Sequence, residues 1–182
     1  MGIKVIDITE YSPKSSDVFL FDTNIWMLLF CPLGNVRKKQ QQIYSAFLHR
    51  VRSSRSSIFI NSLILSEFAN AFIKLDFRQW EASRKAEKVS YKKDYVGTPR
   101  YREIIKIVTY AINDILKFCE KGSDNLNSLE IGKVLNHLKS IDFNDSYYLE
   151  LSSFSKYKIV TDDHDFINYK THDQEILTIL NR

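Results

Sequence analysis

The sequence predicts an α/β fold: three layers, helix on sheet on helix, around a central, mostly parallel sheet of four to five strands. Three observations predict it. Short, nearly continuous apolar runs at 17–21, 58–60 and 157–160 read as strands buried on both faces. The stretches between them carry apolar residues at helical spacing, and strands alternating with helices pair in parallel through right-handed crossovers. The composition, 182 residues with 44% hydrophobic and 26% charged, is that of a globular chain able to bury a core. It excludes collagen-like, disordered and disulfide-scaffold classes.

Residues 1–16 are expected to form an N-terminal extension ahead of the first strand. Turn-forming residues at 12–16 lead into 17–21 (DVFLF), which ends at Asp22. Pro32 and Gly34 punctuate the chain, and apolar residues at 36, 43, 47 and 51 among basic ones then predict an amphipathic helix over 36–51. After the strand at 58–60, Ile64, Phe68, Ala71 and Leu75 form one helical stripe with Glu67 at its margin. Residues 84–100, Lys-rich with Gly97 and Pro99, read as a loop or frayed helix end inside a basic insertion around 78–106. Ile104, Ile107, Val108, Ala111, Ile115 and Phe118 place a helix that ends at Gly122. A shorter helix follows at 129–138, and Asn144 is expected to cap another that runs to about 156. The strand at 157–160 and a further one at 175–180 complete the series. Nothing marks a repeat or a linker, so 1–182 reads as one domain.

Charge is segregated. The net charge is only +4, yet 37–55 holds six Lys or Arg and no acid, and 78–106 holds nine against four acids. From 140 onward eight acids face four bases. Each block alone is compatible with a solvated helix face; together they describe a basic shell around an acidic locus, suited to holding a polyanion near bound metal. Arg37, Lys38, Lys39, Lys88, Lys92 and Lys93 are the expected phosphate contacts, with Tyr91, Tyr95 and Tyr101 placed to stack on unpaired bases. Cys31 and Cys119 suggest no disulfide framework, and the four His have no metal-ligand spacing. The longest apolar run, 25–31, has seven residues, so no membrane span is expected. Residues 1–10 mix Lys4, Asp7 and Glu10 into an apolar stretch, unlike a secretory leader, and a cytoplasmic location follows.

In a parallel sheet, residues just past the strand ends gather at one edge, where ligands bind. Asp22 directly follows the first strand, and Glu67 comes a turn into the helix after the second. Asp145 and Asp163 are 18 residues apart, the length of a helix, a turn and a short strand, which returns them to one level. Four carboxylates so placed repel one another unless cations screen them. An all-oxygen set without His or Cys favours Mg²⁺ or Mn²⁺ over zinc, and such a site suits hydrolytic phosphoryl chemistry. Thr23, Asn24 and Thr161 would support the carboxylates or a substrate phosphate. Each acid also has a blander reading: Asp145 as a helix-dipole acid, Glu67 as a solvated residue, and Asp162, Asp163 and Asp165 as a surface turn. Asp22, which interrupts the apolar run 18–30, has few. His164 reads as an exposed turn residue.

The segments VFLFDTNIW (18–26), INSLILSEFANAF (60–72), IDFNDSYYLELSS (141–153) and YKIVTDDHDF (157–166) together resemble the PIN-domain ribonuclease family, including the VapC-like toxins of toxin–antitoxin pairs. The family pattern falls on Asp22-Thr23-Asn24, Glu67, Asp145, and Thr161 with Asp163, and covers about 17–180. The resemblance implies a Mg²⁺- or Mn²⁺-dependent endoribonuclease, often dimeric and often silenced by a small antitoxin. Asp142 and Asp165 are neighbours able to exchange roles with Asp145 and Asp163, although the spacing favours the latter pair. The alternative is a catalytically inactive PIN module that binds RNA or a protein. A phosphatase or nucleotide-binding enzyme lacks support, because none of the glycines (2, 34, 97, 122, 132) forms a phosphate-binding fingerprint.

Overall fold

A computed structural model describes residues 3–33, 37–84, 88–168 and 174–180. Its centre is one all-parallel sheet in the order β1-β6-β5-β2-β3-β4. The strands are β1 (Lys4–Asp7), β2 (Val18–Phe21), β3 (Ser57–Ile60), β4 (Glu120–Lys121), β5 (Lys158–Val160) and β6 (Glu175–Thr178). Helices α1 (Thr23–Phe30), α2 (Lys38–Ser53), α3 (Ser62–Ser83), α4 (Pro99–Leu116), α5 (Ile131–His137), α6 (Phe143–Ser155) and α7 (His164–Asn168) flank it, which gives the expected three-layer α/β/α class. Among the described residues no helix is long and apolar enough to cross a membrane.

The three apolar runs are β2, β3 and β5, three of the four inner strands; the fourth, β6, is the strand expected at 175–180. Phe19, Leu20 and Phe21 of β2, Ile58 and Ile60 of β3, and Ile159 and Val160 of β5 are buried, so the sheet is covered on both faces. The strand count is corrected from four or five to six. β1 lies in the stretch read as an extension before the first strand, and pairs with β6. β4 has two residues and pairs with β3 just where the α4 helix was expected to continue. The α4 helix stops at Leu116, with Phe118 N–H already bonded to Ile115 O at 2.9 Å, and Gly122 extends the new ladder by donating to Ile60 O at 3.0 Å. A Cβ at Gly122 would lie 1.9 Å from the Phe59 ring, so only glycine fits there.

Other expectations shift by local chemistry. Asp142, not Asn144, caps α6: its carboxylate accepts from Asp145 N–H at 3.0 Å. The buried stripe of α3 is Ile64, Phe68, Phe72, Asp76 and Trp80 rather than one through Ala71 and Leu75. Gly34 and Val36 of the predicted α2 entry, and Lys85 and Glu87 of the basic block, lie outside the described residues.

Of the stretch 84–100, expected as a loop or frayed helix end, the described residues 88–100 include a helical turn and the start of α4. A single π-helical turn (Tyr91–Tyr95) leads to Thr98, whose hydroxyl caps α4 by accepting from Tyr101 N–H at 3.1 Å, with Pro99 at the first helical position. This segment is pinned to α3 by a buried acid. Asp76 is 2% exposed, and an isolated carboxylate there would be very unfavourable. Arg100 grips it with two hydrogen bonds of 2.9 and 2.7 Å, and Tyr95 donates to it at 2.6 Å. The guanidinium and the phenol together hold the Asp76 carboxyl below the usual carboxylate range against its burial.

Cutting the Arg100 side chain in Arg100→Ala would leave that charge without its fork. The expected loss in urea unfolding is about 2–3 kcal/mol, toward the low end for buried pairs because half of Arg100 reaches water. Arg100→Lys should recover only part of it, having no planar fork. A loss below about 0.5 kcal/mol in Arg100→Ala would show the anchor to be idle.

Candidate active site

β2 and β5 are neighbours, but the chain leaves β2 toward β3 and leaves β5 toward β6, on the opposite side. Their carboxyl ends therefore flank the crevice where connections diverge, the position at which open parallel sheets bind ligands. Asp22 N–H bonds to Val160 O at 3.0 Å and extends this pairing one residue beyond the strands. Asp22 occupies the N-cap position of α1, yet its carboxylate caps nothing. Its Oδ2 instead accepts from the Thr161 hydroxyl and from Asn24 Nδ2, both at 2.7 Å.

Thr161, fully buried, is the hub of this crevice. Besides donating to Asp22, its Oγ1 accepts from Asn24 Nδ2 and from Asp163 N–H, each at 3.1 Å. The bond to Asp163 N–H closes a tight turn right after β5 and sets where Asp163 stands. Asn24 Oδ1 in turn accepts from Asp162 N–H at 3.3 Å. The DTN and TDD segments thus clasp each other across the β2–β5 seam.

Glu67 arrives on α3. Asn61, buried after β3, starts that helix by accepting from Ile64 N–H at 3.0 Å, which places Glu67 in its second turn. The Glu67 Oε2 atom accepts from Thr23 Oγ1 at 3.0 Å and from the Tyr148 phenol at 2.9 Å. Burial and the Glu67 charge hold the Tyr148 phenol far above its ordinary range, so it stays a donor. Asp145 comes in on the first turn of α6, one turn before Tyr148.

The electrostatics record the convergence. Burial pushes the Asp22 carboxyl up to about 7, opposed by the Thr161 hydrogen bond and reinforced by the charges of Glu67 and Asp163. Asp145 is pushed up to about 8, by burial first and then by the charges of Asp22, Asp142, Asp163 and Glu67. The predicted acids therefore feel one another at one edge. Among the described residues, however, no three His, Cys, Asp or Glu side chains draw together into a ready-made ligand group.

The remaining predicted residues separate. Asp142 is exposed and spent on capping α6, and Asp165, also exposed, gives its N–H to Asp163 Oδ1 at 2.9 Å. Arg37 stands beside the crevice, 3.4 Å from Asp162, while Lys38 and Lys39 are exposed at the start of α2. Lys88, Lys92 and Lys93 are exposed in the segment between α3 and α4. The tyrosines read as base-stacking residues pack inward instead. Tyr95 is fully buried, and its ring meets Phe77, Trp80, Tyr91 and Tyr101 at centroid distances of 5.3 to 5.6 Å. Sequence reasoning missed Tyr148 and the α2 clamp on Asp162, in which Gln40 and Tyr44 join Arg37. Tyr148 was findable, since it lies three residues after Asp145 and so shares its helix face.

No protein-family model and no curated protein matches the chain. Among solved structures it is similar to the crystal structure of VapBC2 from Rickettsia felis bound to a DNA fragment from their promoter: TM-score 0.51, 13% identity, 88% of this chain and 98% of that one. A second likeness, to the crystal structure of PAE2754 from Pyrobaculum aerophilum, has a TM-score of 0.46 and 13% identity over 96% and 92% of the two chains. The first shows the fold, which is PIN-like.

The raised carboxyls fix the sign of a pH effect. Asp22 and Asp145 bind protons more tightly folded than unfolded, so their contribution is greatest below about pH 4 and is lost as pH rises through about 7 and 8. In chelator, the melting temperature should fall between pH 5 and 9 more steeply for the native chain than for Asp145→Asn. Parallel curves would show that Asp145 titrates normally.

Proposed function

We propose that this PIN-like chain is an endoribonuclease, dependent on Mg²⁺ or Mn²⁺, that hydrolyses RNA phosphodiester bonds at the carboxyl edge of β2 and β5. The observation that carries this reading is the gathering of Asp22, Glu67, Asp145 and Asp163 at one sheet edge, where burial first and the neighbouring carboxylates second push Asp22 and Asp145 up to about 7 and 8. Carboxylates in that state gain from a divalent counter-charge, and the all-oxygen donor set fits a hard cation. Asp22, Glu67, Asp145 and Asp163 would hold it. Such a cation, when bound, activates water and offsets charge on phosphoryl oxygens.

The chain's own contribution is orientation. Thr161 and Asn24 fix Asp22 through Oδ2, and Thr23 and Tyr148 fix Glu67 through Oε2. Such outer partners keep carboxylates in one rotamer, which is how a site distinguishes productive from idle binding. Arg37, which pairs with Asp162, would meet a substrate phosphate. His164 is exposed.

A toxin role is part of the proposal. It is supported by the likeness to VapBC2, and it implies a small antitoxin partner, a homodimer and a cytoplasmic setting. The second reading, an inactive module that binds RNA or a protein, is favoured by the lack of a converged three-residue ligand group among the described residues.

Incubation of the purified protein with an RNA panel in Mg²⁺, Mn²⁺ or chelator separates the two readings. Divalent-dependent cleavage should fall roughly 100-fold or more in Asp22→Asn and in Asp145→Asn, with circular dichroism unchanged. Salt-sensitive RNA binding without cleavage would hand the site to the second reading. Tyr148→Phe, which removes one donor to Glu67, should raise the Mn²⁺ concentration for half-maximal cleavage roughly tenfold. A small protein co-purifying from the native source is the expected sign of an antitoxin.

A further inference from the structure

Asn61 carries two polar atoms with different fates. The residue is 2% exposed, and its Oδ1 caps α3 by accepting from Ile64 N–H at 3.0 Å. That bond fixes which way round the carboxamide stands, and Nδ2, on the other side, is buried with no partner among the described residues. A buried donor left unpaired is unfavourable, so its retention calls for a use. Its position supplies one. β2 and β3 pair in register from Val18 with Ser57 to Leu20 with Phe59, and two further steps bring Asp22 level with Asn61. On the opposite flank Phe21 pairs with Val160, which brings Thr161 level with Asp22. The rings of Phe19 and Phe21 meet Phe47 of α2 at 5.5 and 6.1 Å between centroids, so Leu20 and Asp22 point to the other face of the sheet. Level residues of parallel strands share a face, and Thr161, Asp22 and Asn61 therefore form one row, with strands roughly 4.8 Å apart. Beyond Asn61 the row reaches Gly122, which has no side chain to receive the amide.

We propose that Asn61 is a positioning residue of the carboxylate site: with a divalent cation held there, its Nδ2 donates to the Asp22 carboxylate from the β3 side, as the Thr161 hydroxyl does from the β5 side. This role rests on the reading of the four acids as a cation site. A carboxylate gripped from one side can still swing about its own bonds. Donors on both flanking strands leave it one orientation, which lowers the ordering cost of binding. Asparagine combines what other caps cannot: one oxygen for the helix and two N–H for the site. Serine or threonine would cap α3 without reaching Asp22 with a second donor, and aspartate would cap it at the cost of a fifth acid beside the four.

The test separates the cap from the amide. Asn61→Ser keeps a capping oxygen and removes Nδ2, whereas Asn61→Ala removes both. Each full chain is melted in chelator, and its affinity for Mn²⁺ is read from the electron paramagnetic resonance signal of the free ion. Asn61→Ser should melt no lower than the native chain, having lost only an unpaired donor, and should bind Mn²⁺ roughly tenfold more weakly. Asn61→Ala should melt lower and bind as weakly as Asn61→Ser. Native affinity in Asn61→Ser would overturn the proposal. So would a lower melting temperature in Asn61→Ser, which would show the amide already bonded without the cation. An affinity that falls only in Asn61→Ala, together with its melting temperature, is the mark of a cap alone and overturns it too. Failure here and failure of the nuclease reading are separable. Mn²⁺ binding that depends on Asn61, in a native chain that cuts no RNA, supports the positioning role and removes the activity. Divalent-dependent cleavage with native Mn²⁺ affinity in Asn61→Ser does the reverse, and a native chain that binds no Mn²⁺ overturns both.

Discussion

The seam between β2 and β5 carries everything the site depends on. It sets a carboxylate, Asp22, at 5% exposure against a core of Phe19, Phe21 and Trp26, a position that water cannot compensate. The Thr161 hydroxyl and the Asn24 amide are the compensation, and both exist only because residues 139 and 2 positions away are brought to the same point. A structural carboxylate in such a place would gain a cation partner from a Lys or Arg side chain. Asp22 instead has Glu67, Asp145 and Asp163 as its charged neighbours.

Helix α3 serves two tasks with two stripes. One stripe is core and includes Asp76, which fastens the basic segment after α3 through Arg100 and Tyr95. The other starts at Glu67 and continues through Lys74 and Arg78. Because the segment after α3 packs its tyrosines against Phe77 and Trp80, its lysines are left outside.

Legibility tracked the range of the forces involved. β2, β3 and β5 could be read because burial on both faces writes a continuous apolar run into a few adjacent residues. β1 and β4 could not, because an edge strand of four or two residues is defined by a partner elsewhere in the chain and carries almost no local pattern. The cap of α6 was misplaced by two residues, since Asp142 and Asn144 are both good caps and only backbone conformation separates them. Tyr91, Tyr95 and Tyr101 looked like stacking residues among basic neighbours; Asp76, 15 to 25 positions earlier, draws Tyr95 and Arg100 inward and takes the ring cluster with them.

By itself the sequence determined the α/β class, three of the four inner strands and the acids that directly follow two of them, Asp22 and Asp163. Apolar period and strand-to-acid spacing are local quantities, and parallel topology converts them into one edge without further information. Only the tertiary structure decided which hydroxyls and amides hold those acids, that Asp142 and Asp162 are occupied elsewhere, and that Lys74 and Arg78 stand in line with Glu67. Those outcomes depend on hydrogen bonds of about 3 Å between elements far apart in the chain, and on the rotation of α3 that its buried face imposes.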